Sequence, residues 1–184
     1  LTAIFLYPTF MDGRFFDEFI DNQKEMTSFI NDMGWSHFYK QYYAAALYYF
    51  NNMLSKQPDF VPSLLGKGAS LYISGDFKGA IDVYRPLLEK MPSQAEYWNQ
   101  WSYMLNNLGW CYYYNGDFKD AVTIFEKLKA FHPHVNYIAP LNGLGWCYLK
   151  MEDNKRAERY FGESLDILPG NSLGESGMLL VPDG

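Results

Sequence analysis

The chain has 184 residues, 48% of them apolar, enough for one compact domain or a short repeat array, and it carries a net charge of −6. No basic run interrupts that acidic balance, which argues against a binder of the nucleic-acid backbone. Two cysteines, Cys111 and Cys147, are too few for a disulfide framework and lack the CxxC or Cys/His spacing of a metal site.

Residues 1–10 (LTAIFLYPTF) are apolar but shorter than a bilayer span, and Pro8 interrupts them. They have no basic leading region and no small-residue cleavage pattern, so neither a complete signal peptide nor a transmembrane segment is expected there. Processing upstream of Leu1 stays open, as does the choice between cytoplasm and export for a soluble product. Residues 12–26 carry Phe15, Phe16, Phe19 and Ile20 at helical spacing. The stretch 1–26 is therefore a flank with one helix. That helix either covers the open face of the first repeat unit or extends that unit's own helix forward.

Two short phrases then recur at different intervals. LGWCY stands at 108–112 and 144–148, and GDFK at 75–78 and 116–119. Aligning Ala46, Ala80, Ala121 and Ala157 yields four blocks of 34 residues: 27–60, 61–94, 102–135 and 138–171. Glycine holds the eighth place of each (Gly34, Gly68, Gly109, Gly145). An aromatic holds the twenty-fourth (Phe50, Tyr84, Phe125, Phe161), and proline the thirty-second (Pro58, Pro92, Pro133, Pro169). The two phrase intervals differ because seven residues (95–101) separate the second and third blocks, while two (136 and 137) separate the third and fourth.

This pattern resembles the tetratricopeptide repeat, a 34-residue helix–turn–helix unit. The resemblance implies an all-α fold, an α-α superhelix in which each unit pairs two helices that cannot bury their apolar faces alone. Small residues at the eighth and twentieth places let those helices approach. The Gly-Asp pairs at 75–76 and 116–117 predict tight turns, glycine tolerating positive φ and aspartate capping the next helix. Gln41 departs from this, so a different turn is expected in the first unit. Pro86 is expected to kink the second helix of its unit. The stretch 93–96 (SQAE) reads as a capping box, so the third unit's first helix is predicted to run about 20 residues, two turns longer than its neighbours, and to protrude. In the tail, 172–184, a second capping box (SLGE, 172–175) is followed by the apolar run 178–181, which is not an obvious polar cap.

In the first helix of each unit the fourth, seventh, eighth and eleventh places share the packing face. The second, fifth, ninth, twelfth and thirteenth lie opposite, and the resemblance assigns them to the concave groove. There the chain places Asn31, Trp35, Phe38 and Tyr39, then Leu65, Tyr72 and Ile73. The third unit adds Tyr103, Asn106, Trp110, Tyr113 and Tyr114, and the fourth Asn142, Trp146 and Leu149. That surface is aromatic and nearly free of cations, Lys150 excepted. It lacks the Lys, Arg and Asn set with which some family members grip a C-terminal carboxylate. The asparagines at the fifth place are candidates for holding an extended backbone.

Nothing points to catalysis. His37, His132 and His134 are scattered, and 66–70 (GKGAS) lacks the spacing and preceding strand of a phosphate loop. No cofactor or metal is expected. The reading is a non-enzymatic scaffold that takes a protein or peptide segment in its aromatic groove. One alternative is a structural subunit that assembles with itself through its apolar ends. Carbohydrate binding is weaker, because nothing supplies the polar groups that orient a sugar.

Overall fold

The computed structural model describes residues 13–90, 98–131 and 137–182, and side chains within 26–90, 99–131 and 137–182. Helices α1 (Gly13–Tyr39) and α2 (Tyr43–Lys56) are followed by α3 (Val61–Ile73) and α4 (Phe77–Tyr84). Next come α5 (Trp98–Asn115), α6 (Phe118–Phe131), α7 (Ala139–Lys150), α8 (Asn154–Ile167) and α9 (Ser172–Leu180). Each helix packs on the next. The odd-numbered helices also touch one another in succession, α1 on α3, α3 on α5, α5 on α7 and α7 on α9, whereas no two even-numbered helices meet as extensively. The odd helices therefore form the inner layer of a curved array, and their exposed faces line its groove.

A repeated contact sets the spacing of this array. The Phe50 ring lies between Gly34 of its own unit and Gly66 of the next. A Cβ added at either glycine would stand 2.5 or 2.2 Å from a ring carbon. Phe125 is held in the same way by Gly109 and Gly143, with corresponding distances of 2.6 and 2.5 Å. Phe161 is held by Gly145 and Gly177. All three rings are fully buried. Glycine at the eighth place thus admits the ring from within the unit, and glycine at the sixth place of the following unit closes over its far side.

The junction between the second and third units departs from this. Gly68 meets Tyr84 rather than a phenylalanine, and the sixth place of the next unit is Asn107, which is 2% exposed. The Tyr84 hydroxyl donates to the Leu65 carbonyl at 3.4 Å. Burial pushes its phenol well above the usual tyrosine range, while the Asn107 carboxamide beside it acts in the opposite sense. A hydroxyl and a carboxamide have each replaced a hydrogen of the clasp, so this junction carries a polar pair where the others carry a bare ring and a glycine.

The turns follow the sequence with one correction. Gly75 and Gly116 take φ of 83° and 89°, as the turn requires. Gln41 does not make a different turn: it adopts the same left-handed conformation (φ 64°), as does Glu152 (φ 61°) at the equivalent place. Asp76 caps α4 by accepting from the Gly79 N–H at 2.9 Å, and Asp153 caps α8 through the Arg156 N–H at 3.1 Å. Pro86 acts as expected. It has no N–H for the helix ladder, so α4 stops after eight residues and continues as a 3-10 turn over Arg85–Lys90.

The flanks resolve the open alternatives. The N-terminal flank extends the first unit's own helix, so that α1 is continuous over 27 residues. The 93–96 capping box lies outside the described residues, but α5 runs 18 residues against 13 for α3 and 12 for α7. Its extension is not a free protrusion: Trp101 is 5% exposed and belongs to the main apolar core. At the far end α9 begins one residue earlier than a Ser172 cap would place it, since Asn171 is the N-cap and commits its side chain to α7 and α8. It packs as the first helix of a further unit, with Gly177 against Phe161. Leu179 stands where the other units have their eighth-place glycine and is 86% exposed. A ring like Phe161 would not fit against Leu179 as Phe161 fits against Gly145.

These contacts can be tested in two ways. Gln41→Gly and Glu152→Gly should each stabilise the chain by about 0.5–1 kcal/mol in denaturant unfolding. That figure is the left-handed cost of about 1–2 kcal/mol less the extra freedom of an unfolded glycine. Tyr84→Phe and Asn107→Gly should each destabilise. The double variant recreates the phenylalanine–glycine clasp of the other junctions, so it should recover about 1 kcal/mol of the summed loss. Strictly additive losses would show that the two side chains do not act as a pair.

Candidate functional site: an aromatic pocket in the inner groove

The three groove tryptophans are anchored to the clasped rings. Trp35 meets Phe50 edge-on at 5.4 Å between ring centroids, Trp110 meets Phe125 at 5.4 Å, and Trp146 meets Phe161 at 5.7 Å. Each is half-buried. A T-shaped approach places the positive edge of one ring against the negative face of another and fixes the indole's angle. The tryptophans therefore tie each first helix to its second helix and show the groove only part of their surface.

Around Trp35 and Trp110 the sequence builds the same aromatic triad twice. Trp35 lies 5.4 Å from Phe38 and 5.9 Å from Tyr39, with interplanar angles of 74° and 30°. Trp110 lies 5.3 Å from Tyr113 and 6.0 Å from Tyr114, at 80° and 32°. Between the triads, α3 carries Ala69 at the ninth place, buried in a cluster with Phe38 and Phe50. Without a third indole, α3 contributes only Pro62 and Leu65 to the groove floor at this point. The result is an open, uncharged pocket of about 550 Å³, walled by Trp35, Phe38 and Tyr39 on one side and by Asn99, Gln100 and Tyr103 on the other. Tyr39 and Tyr103 are 76% and 44% exposed, so their rings are available to a ligand.

The structure separates the twelve aromatic and asparagine candidates into groups. Trp35, Phe38, Tyr39 and Tyr103 come together in the pocket. Trp110, Tyr113 and Tyr114 form the second triad. Tyr114 stacks on Phe77 at 4.8 Å and so joins the second and third units. Tyr72 packs beside Phe77 at 6.2 Å, and burial pushes its phenol up to about 12. Trp146 is further along, over Phe161. The asparagines are mostly engaged in packing. Asn31 accepts from the Ser63 hydroxyl at 2.9 Å and is 9% exposed. Asn142, 2% exposed, accepts from Ser164 at 2.8 Å and from Asn171 at 3.0 Å. Both join neighbouring helices, so neither offers a free carboxamide to a bound backbone. Asn106 is half-buried with its Oδ1 unpartnered, because the place that supplies Ser63 to Asn31 is occupied here by Pro140.

Three pocket residues were not anticipated: Pro62, Asn99 and Gln100. Asn99 and Gln100 belong to the extension of α5 and precede Tyr103 by one helical turn, so continuing the groove face backwards through the insertion would have found them. They are the carboxamides of the pocket wall and stand at its rim.

Cys111 and Cys147, both at the tenth place, are buried. Burial pushes each thiol up to about 12 from an ordinary value of 9.0, with the Asp76 charge adding to the effect at Cys111. They pack as small apolar groups and are not nucleophiles. No cluster of three potential metal-ligating side chains occurs among the described residues, and His132 and His134 lie outside them. No described helix is long and apolar enough to cross a membrane.

The described helices, in this order, define a helical-repeat solenoid with an inner groove. Residues 107–134 and 139–171 match two models of the tetratricopeptide repeat, and the chain is a tetratricopeptide repeat protein. Solved structures of the same fold include the MamA protein, 18% identical over 86% of this chain and 81% of that one, with a TM-score of 0.74. The MamA chain of Desulfovibrio magneticus RS-1 is 19% identical over 86% and 85%, with a TM-score of 0.70. A chain of the Cut9–Hcn1 hetero-tetramer of the APC/C is 18% identical over 84% of this chain but only 29% of its own length, with a TM-score of 0.72. No protein of curated function matches by sequence.

The raised thiols give a pH prediction. A group held neutral in the fold contributes stability below its unfolded value and loses it as pH rises through the folded value. The cysteines should therefore leave stability unchanged below about pH 9 and lower it progressively from there toward 12. Denaturant midpoints measured at pH 8 and pH 11 test this. The decline should be smaller in the Cys111→Ala/Cys147→Ala variant, and an identical slope in both proteins would show that other groups carry it.

Proposed function

We propose that the protein is a non-enzymatic interaction scaffold that takes an uncharged, apolar segment of a protein partner into the pocket between Trp35 and Tyr103. The tetratricopeptide fold supports the scaffold reading in general terms. The observation that carries the specific site is the missing indole at Ala69, which opens a pocket with aromatic walls and no charged lining residue. Apolar concavities with a few polar groups at the rim are the usual form of a binding site. Exposed tyrosines beside a half-buried tryptophan are the residue types that dominate binding energy at interfaces. Asn99 and Gln100 can give and accept hydrogen bonds to an extended backbone at the rim, taking the place assigned on sequence to Asn31 and Asn142.

Such a lining disfavours charged ligands. A carboxylate buried against Trp35 and Leu65 would lose its hydration without gaining a cation. A sugar would find stacking surfaces but too few directed polar partners.

Peptides displayed on phage and panned against the immobilised chain should be selected for low charge and for apolar or aromatic anchors. Tyr39→Ser and Tyr103→Asp together should weaken the selected peptides at least tenfold, about 1.4 kcal/mol. Tyr48→Ser, which alters an exposed tyrosine of α2 outside the pocket, should leave them unchanged. Selection of acidic C-terminal sequences, or binding indifferent to both pocket substitutions, would overturn this assignment.

A further inference from the structure

The dipeptide Asn-Gly occurs twice in the chain, at 115–116 and 142–143, and the fold treats the two copies differently. Asn142 lies inside α7 and is buried, its Oδ1 accepting from the Ser164 hydroxyl at 2.8 Å and from Asn171 at 3.0 Å. Gly143 is closed over by Phe125, so that a Cβ placed on it would stand 2.5 Å from the ring. Asn115, in contrast, is the last residue of α5 and is exposed. Gly116 turns the chain away from the helix at φ 89°, and a Cβ added there would meet nothing within 4 Å. The Asn115 carboxamide is not drawn into packing: its Nδ2 donates to the exposed Asp117 carboxylate at 2.6 Å.

An asparagine amide can be displaced by the main-chain nitrogen of the residue that follows it, and glycine leaves that nitrogen least obstructed because it has no Cβ. The Gly116 nitrogen gives up its proton to solvent and attacks Cγ of Asn115. A bond forms between that nitrogen and Cγ, the Cγ–Nδ2 bond breaks, and the amide nitrogen takes a proton from water and leaves as ammonia. The product is a five-membered cyclic imide. Water then adds to one of its two carbonyl carbons and opens the ring. Opening at Cγ gives aspartate, and opening at the main-chain carbonyl gives isoaspartate, whose chain runs through Cβ. Water is the one co-reactant, and no electrons are gained or lost.

We propose that Asn115 is a site of spontaneous conversion to aspartate and isoaspartate in the folded protein, and that the fold protects Asn142 from the same reaction. At Asn115 the nitrogen that attacks is held by one bond at a helix end, from the Gly116 N–H to the Tyr113 carbonyl at 3.1 Å, and helix ends open at little cost. At Asn142 the side chain would have to leave its two donors and the middle of α7 would have to unwind. Conversion of Asn115 replaces the hydrogen bond to Asp117 by two facing carboxylates. Isoaspartate also lengthens the main chain by one carbon within the turn closed by Gly116 on Tyr113 and by Asp117 on Tyr112. The end of α5 is thereby loosened where it carries Tyr114, whose stack on Phe77 joins the second and third units. None of this depends on what the groove binds.

The test ages the full folded chain at pH 8 and follows both sites by peptide mass spectrometry. The peptide holding Asn115 should gain one mass unit and separate into aspartate and isoaspartate forms, at least about tenfold faster than the peptide holding Asn142. In guanidinium the two rates should converge, because the protection of Asn142 belongs to the fold. Asn115→Gln, which keeps the carboxamide but sets it one carbon further from the attacking nitrogen, should abolish the gain at that place. On ageing, the denaturant midpoint of the wild type should fall while that of Asn115→Gln holds. Equal rates at the two sites in the folded chain, rates that stay apart in guanidinium, or an Asn115 that survives in the folded chain while the unfolded chain converts it would overturn the proposal. A wild-type midpoint that falls no further than that of Asn115→Gln would remove the loosening of α5.

Discussion

Three of the four junctions in this array are set by a phenyl ring held between two glycines from successive units. The ring comes from a second helix, one glycine from its own first helix, and the other from the first helix of the next unit. A single contact therefore fixes two distances at once, the closeness of the helices within a unit and the step between units. Since a Cβ at either glycine would intrude within 3 Å of ring carbons, these three clasps admit no other residue without a shift, and the Tyr84–Asn107 junction is built differently. The indoles are placed by the same ring, because each meets it in a T-shaped contact. Removing a clasp would therefore disturb the groove as well as the core.

The clasp also distinguishes the first and last described units. At the sixth place of the first unit stands Asp32, which is exposed. At the other end Gly177 accepts the ring of the fourth unit, while Leu179 denies entry to a fifth. The final helix is thus half a unit: its inward side obeys the rule and its outward side breaks it. This differs from a polar capping helix, and it leaves Leu179 and Leu180 at the surface, 86% and 60% exposed.

Much of the fold was legible because its determinants lie within one unit. The eighth-place glycine, the turn glycines and Pro86 each act on neighbours close in sequence, and their consequences appear as expected. The sixth-place glycine was not recognised, because the ring it meets belongs to the preceding unit and the third unit has Asn107 instead. Gln41 was misjudged for a related reason. The turn is dictated by packing on both sides of it, so a glutamine is carried into the left-handed conformation that its own preference opposes. Helical phase puts the tryptophans on the groove side, but phase alone could not show that each is half-buried against a ring from its own second helix.

The asparagines show where inference from periodicity meets its physical limit. Three occupy the fifth place, and phase puts all three toward the groove. Asn31 and Asn142 are drawn out of it by hydroxyl donors on adjacent helices. Asn106 has no such donor because Pro140 stands in the corresponding place. The difference depends on which residue the next unit happens to present, so three identical side chains at one place acquire different roles. The same reasoning locates the pocket. Pro62 and Leu65 floor it beside the first aromatic triad, and the start of α5 supplies the facing wall through Asn99, Gln100 and Tyr103. The selectivity proposed for this groove therefore lies in the places where the repeat is broken, while the repeat itself supplies the frame that holds them.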